Sequence, residues 1–176
     1  MKHVIISFSE TLNNEKVAEQ TAHDLNIDWI RLEETRKRTL ATNFFDILFS
    51  RKPKLTLDFQ SIESYDFIVF MGPVWLGHPA SPFRRIFDYL KVHQKQYGLV
   101  TVCGGNNACI SNPKLHDYLF KRTHIEPRFI KELKIFDLMP SMDEKERNEK
   151  MFKYKMNIEE INQFTSEAKE VIEAYL

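Results

Sequence analysis

Cysteine, glycine and net charge are all in short supply in this sequence. Among 176 residues there are two cysteines and five glycines, and 25 basic side chains are matched by 25 acidic ones. Zero formal charge excludes the strongly basic footprint that nucleic-acid binding requires. It equally excludes the strongly acidic surface with which many small electron shuttles steer their partners. Cys103 and Cys109 are too few for a four-ligand zinc site. Two close thiols leave a disulfide or a metal contact open, and the expectation from cysteine usage is reduced thiols in a cytosolic protein. No apolar run approaches 18 residues, and Met1-Lys2-His3 leads straight into a short apolar segment without a long hydrophobic leader. The expectation is therefore a cytoplasmic chain with no membrane span and no export signal. There is no internal repeat and no low-complexity linker, and the length suits one domain over residues 1–176, since domains run to roughly 100–200 residues.

What is present is an alternation of strand-like and helix-like segments, the pattern of a parallel sheet wrapped by helices. His3–Phe8 is short, apolar and β-branched and predicts a buried first strand. Val17, Ala18, Thr21, Ala22 and Leu25 recur at helical spacing within Asn14–Leu25. Strands are predicted at Asp28–Leu32, Phe67–Met71, Gly98–Cys103 and within Phe129–Leu138. Helices are predicted at Ser81–Leu90, with Pro82 in its first turn, at Asn112–Phe120 and at Met156–Leu176. Two segments exceed this minimum. Thr39–Leu57 holds Phe44, Phe45, Ile47, Leu48 and Phe49 and predicts a helix packed on the sheet, followed by a loop. The charged stretch Ser141–Tyr154 reads either as an extension of the last helix or as a separate turn.

In open sheets of this kind a ligand lies beyond the carboxyl ends of the strands. After the first strand, Ser9-Glu10-Thr11-Leu12-Asn13-Asn14 is dense in hydroxyls and amides and opens into a helix. Helix N-termini offer unpaired N–H groups and partial positive charge, which favour a phosphate; an ordinary Asn-capped turn has the same composition. After the third strand, Gly72-Pro73-Val74-Trp75-Leu76-Gly77-His78-Pro79 is a stiff loop carrying a tryptophan that no helix or strand pattern claims. It is suited to stacking on a planar ring, or to packing on the next helix. After the fourth strand, Cys103-Gly104-Gly105 permits close approach of backbone to a ligand, or a turn with positive φ.

The three segments together, in this order and spacing, resemble the flavodoxin-like FMN-binding family over nearly the whole chain. Ser9 through Asn14 is similar to its phosphate loop. Pro73, Val74, Trp75, Leu76 and Gly77 are similar to the loop whose aromatic lies against the isoalloxazine. Cys103, Gly104 and Gly105 are similar to the loop along the pyrimidine edge. The resemblance implies an α/β, doubly wound, five-stranded parallel sheet of order 2-1-3-4-5 with helices on both faces. It also implies FMN as cofactor, with no catalytic protein side chain and no metal ligand. Two positions depart from the pattern: Leu12 stands where the family has glycine, and Asn14 where it has threonine. Leucine at positive φ costs on the order of 1–2 kcal/mol, and Glu10 sets a carboxylate beside the expected phosphate.

Three functions follow as expectations. The first is an oxidoreductase linked to NAD(P)H or a quinone, with the 39–57 segment as substrate wall or as the interface of a homodimer. The second is an electron carrier, disfavoured by zero net charge. The third is a flavin-free binding module.

Overall fold

The computed structural model describes residues 1–35, 45–46, 48–75, 77–104, 112–139, 142–151 and 153–176. In chain order the elements begin with β1 (His3–Ser7), α1 (Asn13–Leu25) and β2 (Asp28–Arg31). Next come β3 (Phe67–Met71), β4 (Val74–Trp75), β5 (His78–Pro79) and α2 (Phe83–His93). They continue with β6 (Gln96–Cys103), α3 (Asn112–Thr123), β7 (Ile130–Lys134), α4 (Glu144–Met151) and α5 (Ile158–Glu173). Short 3-10 turns occupy Phe59–Ile62 and Ile135–Leu138.

Five strands form one parallel sheet of order β2-β1-β3-β6-β7, the doubly wound architecture expected. β4 and β5 pair only with each other, as an antiparallel hairpin. Every residue of β1 and β3 is buried, because helices cover both faces of the sheet. Alternation along these strands sends Val4, Ile6, Ile68, Phe70 and Leu99 into one core with α2 and α3. Ile5, Phe67, Val69, Val100 and Val102 enter a second core with α1 and α5. α5 opens with a capping box between Asn157 and Glu160, which satisfies two backbone donors at its start.

The expected strands and helices are found, with ends moved by a few residues. The charged 141–154 stretch holds a separate helix, α4, and does not extend α5. The Phe/Leu cluster differs from expectation. Phe45, Leu48 and Phe49 are exposed and do not enter the core; Phe44 and Ile47, with the rest of 39–44, lie outside the described residues.

Gly98 lies in β6, with β3 on one side and, one residue on, β7 on the other. A Cβ built there would meet three ring atoms of Phe129 at 2.4–2.7 Å, so the far end of the ring rests against bare backbone. Gly98→Ala is expected to destabilise the fold by about 1–3 kcal/mol, as overpacking does. Urea unfolding should show a lower midpoint at unchanged slope, and adding Phe129→Ala should remove most of the difference between glycine and alanine at that position.

Candidate functional site

The carboxyl ends of β1, β3 and β6 carry the three segments singled out in the sequence, and the fold brings them to one edge. The first runs from Phe8 into α1. The Phe8 N–H donates to the Met71 carbonyl at 3.0 Å, so the chain leaves β1 bound to the end of β3. Leu12 then serves as N-cap of α1 at φ 71° and ψ −6°, the left-handed region, and its side chain makes no capping hydrogen bond. The first helical bond is donated by the Lys16 N–H to the Leu12 carbonyl at 3.0 Å. The N–H groups of the first turn thus have no acceptor within the helix and none from a cap side chain. The Ser9 hydroxyl is buried and has no hydrogen-bond partner among the described residues. Thr11 is half-buried, while Glu10 and Leu12 are exposed.

Asn13 and Asn14 use their side chains differently from what the loop's composition suggests. The Asn14 carboxamide donates to the Val102 carbonyl at 3.0 Å and accepts from the Val102 N–H at 2.8 Å, both buried. Asn13 donates to the Tyr154 carbonyl at 2.7 Å and accepts from the Met156 N–H at 3.1 Å. Both amides tie the start of α1 to distant backbone, leaving their own N–H groups as what they offer a ligand. Glu15, in the same turn, pairs with Arg31 at 3.0 Å. Burial raises the Glu15 carboxyl above its ordinary value, opposed by the Arg31 charge. Arg31 was not singled out in the sequence; its place at the end of a strand was the only signal.

The second segment is the β4–β5 hairpin. Two-residue strands carry no periodicity, which is why the sequence shows only a stiff loop. Gly77, at φ 77°, makes the turn, the Ala80 N–H closes the base on the Pro73 carbonyl at 3.0 Å, and Leu76 lies outside the described residues. Trp75 is half-buried and meets Phe8 edge-to-face, with ring centroids 6.0 Å apart at 88°. The Trp75 loop and the Ser9 loop therefore touch. Gly72 is required by packing: a Cβ would lie 2.5 Å from the Phe83 ring and 3.2 Å from the Phe8 carbonyl.

The third segment is only partly described. Cys103 is buried and is disulfide-bonded, so the expected reduced thiol is corrected at this position; Cys109 and Gly105 lie outside the described residues. A Cβ on Gly104 would meet the Met151 sulfur at 2.3 Å. The room left by this glycine is filled by a side chain from α4.

His78 stands opposite Trp75 in the hairpin. Its ring meets Tyr118 of α3 edge-to-face at 4.8 Å, and its Nδ1 is buried without a partner among the described residues. Burial pushes its pKa below 6.5, and the nearby Arg84 charge adds to the shift.

Sequence comparison finds no matching family model and no matching curated protein. Structural comparison does find similar folds. A flavoprotein from Lactobacillus acidophilus, solved in complex with FMN, superposes with TM-score 0.61 at 17% identity, over 74% of this chain and 92% of its own. The apo form of the flavoprotein from that organism, solved by NMR, gives 0.59 at 16% identity, over 78% and 95%. A flavodoxin from the domain Archaea gives 0.51 at 11% identity, over 99% and 98%. The chain has the flavodoxin-like fold.

The loop and hairpin geometry can be tested by stability. Leu12→Gly removes the left-handed strain but adds unfolded-state entropy, so a net gain of about 0.5–1 kcal/mol is expected in thermal or urea unfolding. His78 behaves oppositely to a paired histidine. Unfolding restores its ordinary pKa of 6.5, so below that pH the unfolded chain takes a proton that the folded chain refuses. Stability should fall as pH drops through about 6.5 and level off below the folded pKa. His78→Gln should flatten that part of the pH–stability curve.

Proposed function

We propose that this edge binds FMN and that the protein is an FMN-dependent oxidoreductase linked to NAD(P)H or a quinone. One observation carries the reading: a buried, unpartnered Ser9 hydroxyl at an uncapped helix start, with Leu12 held at positive φ. An unsatisfied buried hydroxyl is a standing cost that a bound acceptor removes. A phosphate is the acceptor that a helix N-terminus favours.

In this reading the Ser9 and Thr11 hydroxyls and the N–H groups of Leu12, Asn13 and Asn14 hold the phosphate. Glu10 is exposed in this structure, so solvent screens its charge. Trp75 covers one face of the ring and keeps water from it. The backbone at Pro73–Gly77 and at Cys103–Gly105 lines its polar edge. When bound, the flavin supplies the electron and hydride chemistry, and the chain supplies orientation and a shielded setting. Zero net charge supports an enzyme over a carrier, because a carrier relies on a charged face for its partner.

The test is an absorbance scan followed by titration with FMN and with riboflavin, read by tryptophan quenching. Saturable FMN binding in the micromolar range or tighter is expected. Ser9→Ala should weaken FMN by about tenfold and riboflavin little, because it removes one hydrogen bond to a charged group. Trp75→Ala should weaken both. A colourless protein that ignores FMN at high micromolar concentration would point to a flavin-free binding module instead.

A further inference from the structure

The stretch between β2 and β3 contains six Lys or Arg residues and one acidic residue over positions 36–54, a net charge of +5. The rest of the chain therefore carries −5. Within this stretch Leu48 and Phe49 are 60% and 59% exposed, and Phe45 stacks on Phe49 at 6.0 Å and 13°. Arg51 lies over the Phe49 ring at 5.4 Å, and Arg51, Lys52 and Lys54 are exposed.

This apolar and basic surface is firmly held. The Arg84 side chain, 2% exposed, donates to the Asp46 and Arg51 carbonyls. Arg85 donates to the Pro53 carbonyl at 2.6 Å. The Thr35 and Thr56 N–H groups join 33–35 to 54–56 by bonds to Lys54 and Glu33 at 3.2 and 3.0 Å. Ser81, just after the Trp75 hairpin, donates to the Asp46 carboxylate at 3.3 Å. The anchors are thus the immediate neighbours of the candidate flavin edge.

We propose that residues 45–54 dock the protein onto an anionic lipid bilayer. Aromatic and leucine side chains beside lysine and arginine are the chemistry that binds the boundary between headgroups and acyl chains. Side chains this exposed stand out from the surface, as insertion into lipid needs, whereas a groove for a peptide would cover them. Arg51 and Lys54, exposed beside Leu48 and Phe49, are attracted to an anionic surface, which selects the orientation with this patch facing the lipid. A symmetric dimer through this patch is disfavoured, because it would bring the exposed Arg51 and Lys54 of one copy against those of the other. The proposal rests on surface chemistry alone, so vesicle binding and FMN binding succeed or fail independently. Should both hold, the Trp75 loop lies beside the lipid, where an apolar quinone is dissolved.

The experiment is flotation of the full chain with vesicles of mixed phosphatidylglycerol and phosphatidylcholine, against vesicles of phosphatidylcholine alone. Binding is expected on the anionic vesicles only and should weaken as salt is raised. Leu48→Ser with Phe49→Ser, and separately Arg51→Glu with Lys54→Glu, should each weaken binding by about tenfold or more. Lys121→Glu, an exposed change on α3, should leave it unaltered. The proposal is overturned by no flotation with anionic vesicles at low salt. Equal binding to neutral vesicles, or undiminished binding by both double variants, overturns it too. A concentration-dependent dimer abolished by the Leu48/Phe49 changes would assign the patch to self-association instead.

Discussion

Everything at the carboxyl edge of the sheet depends on one side-chain amide. Asn14 meets both the N–H and the carbonyl of Val102, at 2.8 and 3.0 Å, in a fully buried setting. β3 has already turned away at this level: its last bond to β6 is donated by the Gly72 N–H to the Val100 carbonyl at 3.3 Å. Two residues further along β6, the same side of the strand meets no backbone partner among the described residues, and the Asn14 carboxamide takes the place of the missing peptide group. Buried backbone left unpaired costs about 1–3 kcal/mol per group, so this replacement is required, not ornamental. It fixes the start of α1 against the end of β6 and so sets the distance between the first and third loops. Threonine, which the resembling family carries here, has one hydroxyl and cannot reproduce the paired geometry of a carboxamide.

Asn13 extends the same device, joining the helix start to the backbone of Tyr154 and Met156. With both amides engaged in this way, the turn between Ser9 and Asn13 has little freedom to relax, which accounts for Leu12 remaining at φ 71°. A non-glycine residue in the left-handed region persists only where its surroundings over-determine it. The strain falls close in the chain to the uncapped N–H groups of the first turn and the unpartnered Ser9 hydroxyl. Strain and open donors coincide there, in a loop pinned from both sides.

Much of this was legible in the sequence, and the limits are physical. Doubly covered strands are continuous apolar runs, so β1 and β3 stand out: Phe67–Met71 is bounded in the structure as its composition predicts. The three loops are legible because hydroxyls, glycine, proline and a lone tryptophan interrupt those patterns. The amide clamps are not legible, since their partners lie 88 and 141 residues away and nothing local distinguishes a clamping asparagine from a capping one. Gly104 reads as room for a ligand because a sequence cannot show that Met151 fills that room. Phe45, Leu48 and Phe49 read as core for a related reason: apolar residues at helical spacing look alike whether a partner covers them or water does.

That last ambiguity bears on function. Charge is distributed unevenly along the sequence, with +5 in residues 36–54 and −5 in the rest. Two side chains near 60% exposure would be a solubility liability on a free-standing surface, and a frayed loop would hide them by collapse. Instead, a buried arginine holds the carbonyls on both sides of them. Burying a guanidinium is unfavourable unless fixed hydrogen bonds offset the lost hydration. Those bonds keep the apolar side chains presented outward. The same arginine lowers the pKa of His78 in the hairpin beside Trp75, as a smaller cause than burial. One buried side chain thus holds the presenting segment in place and stands near the hairpin that carries Trp75.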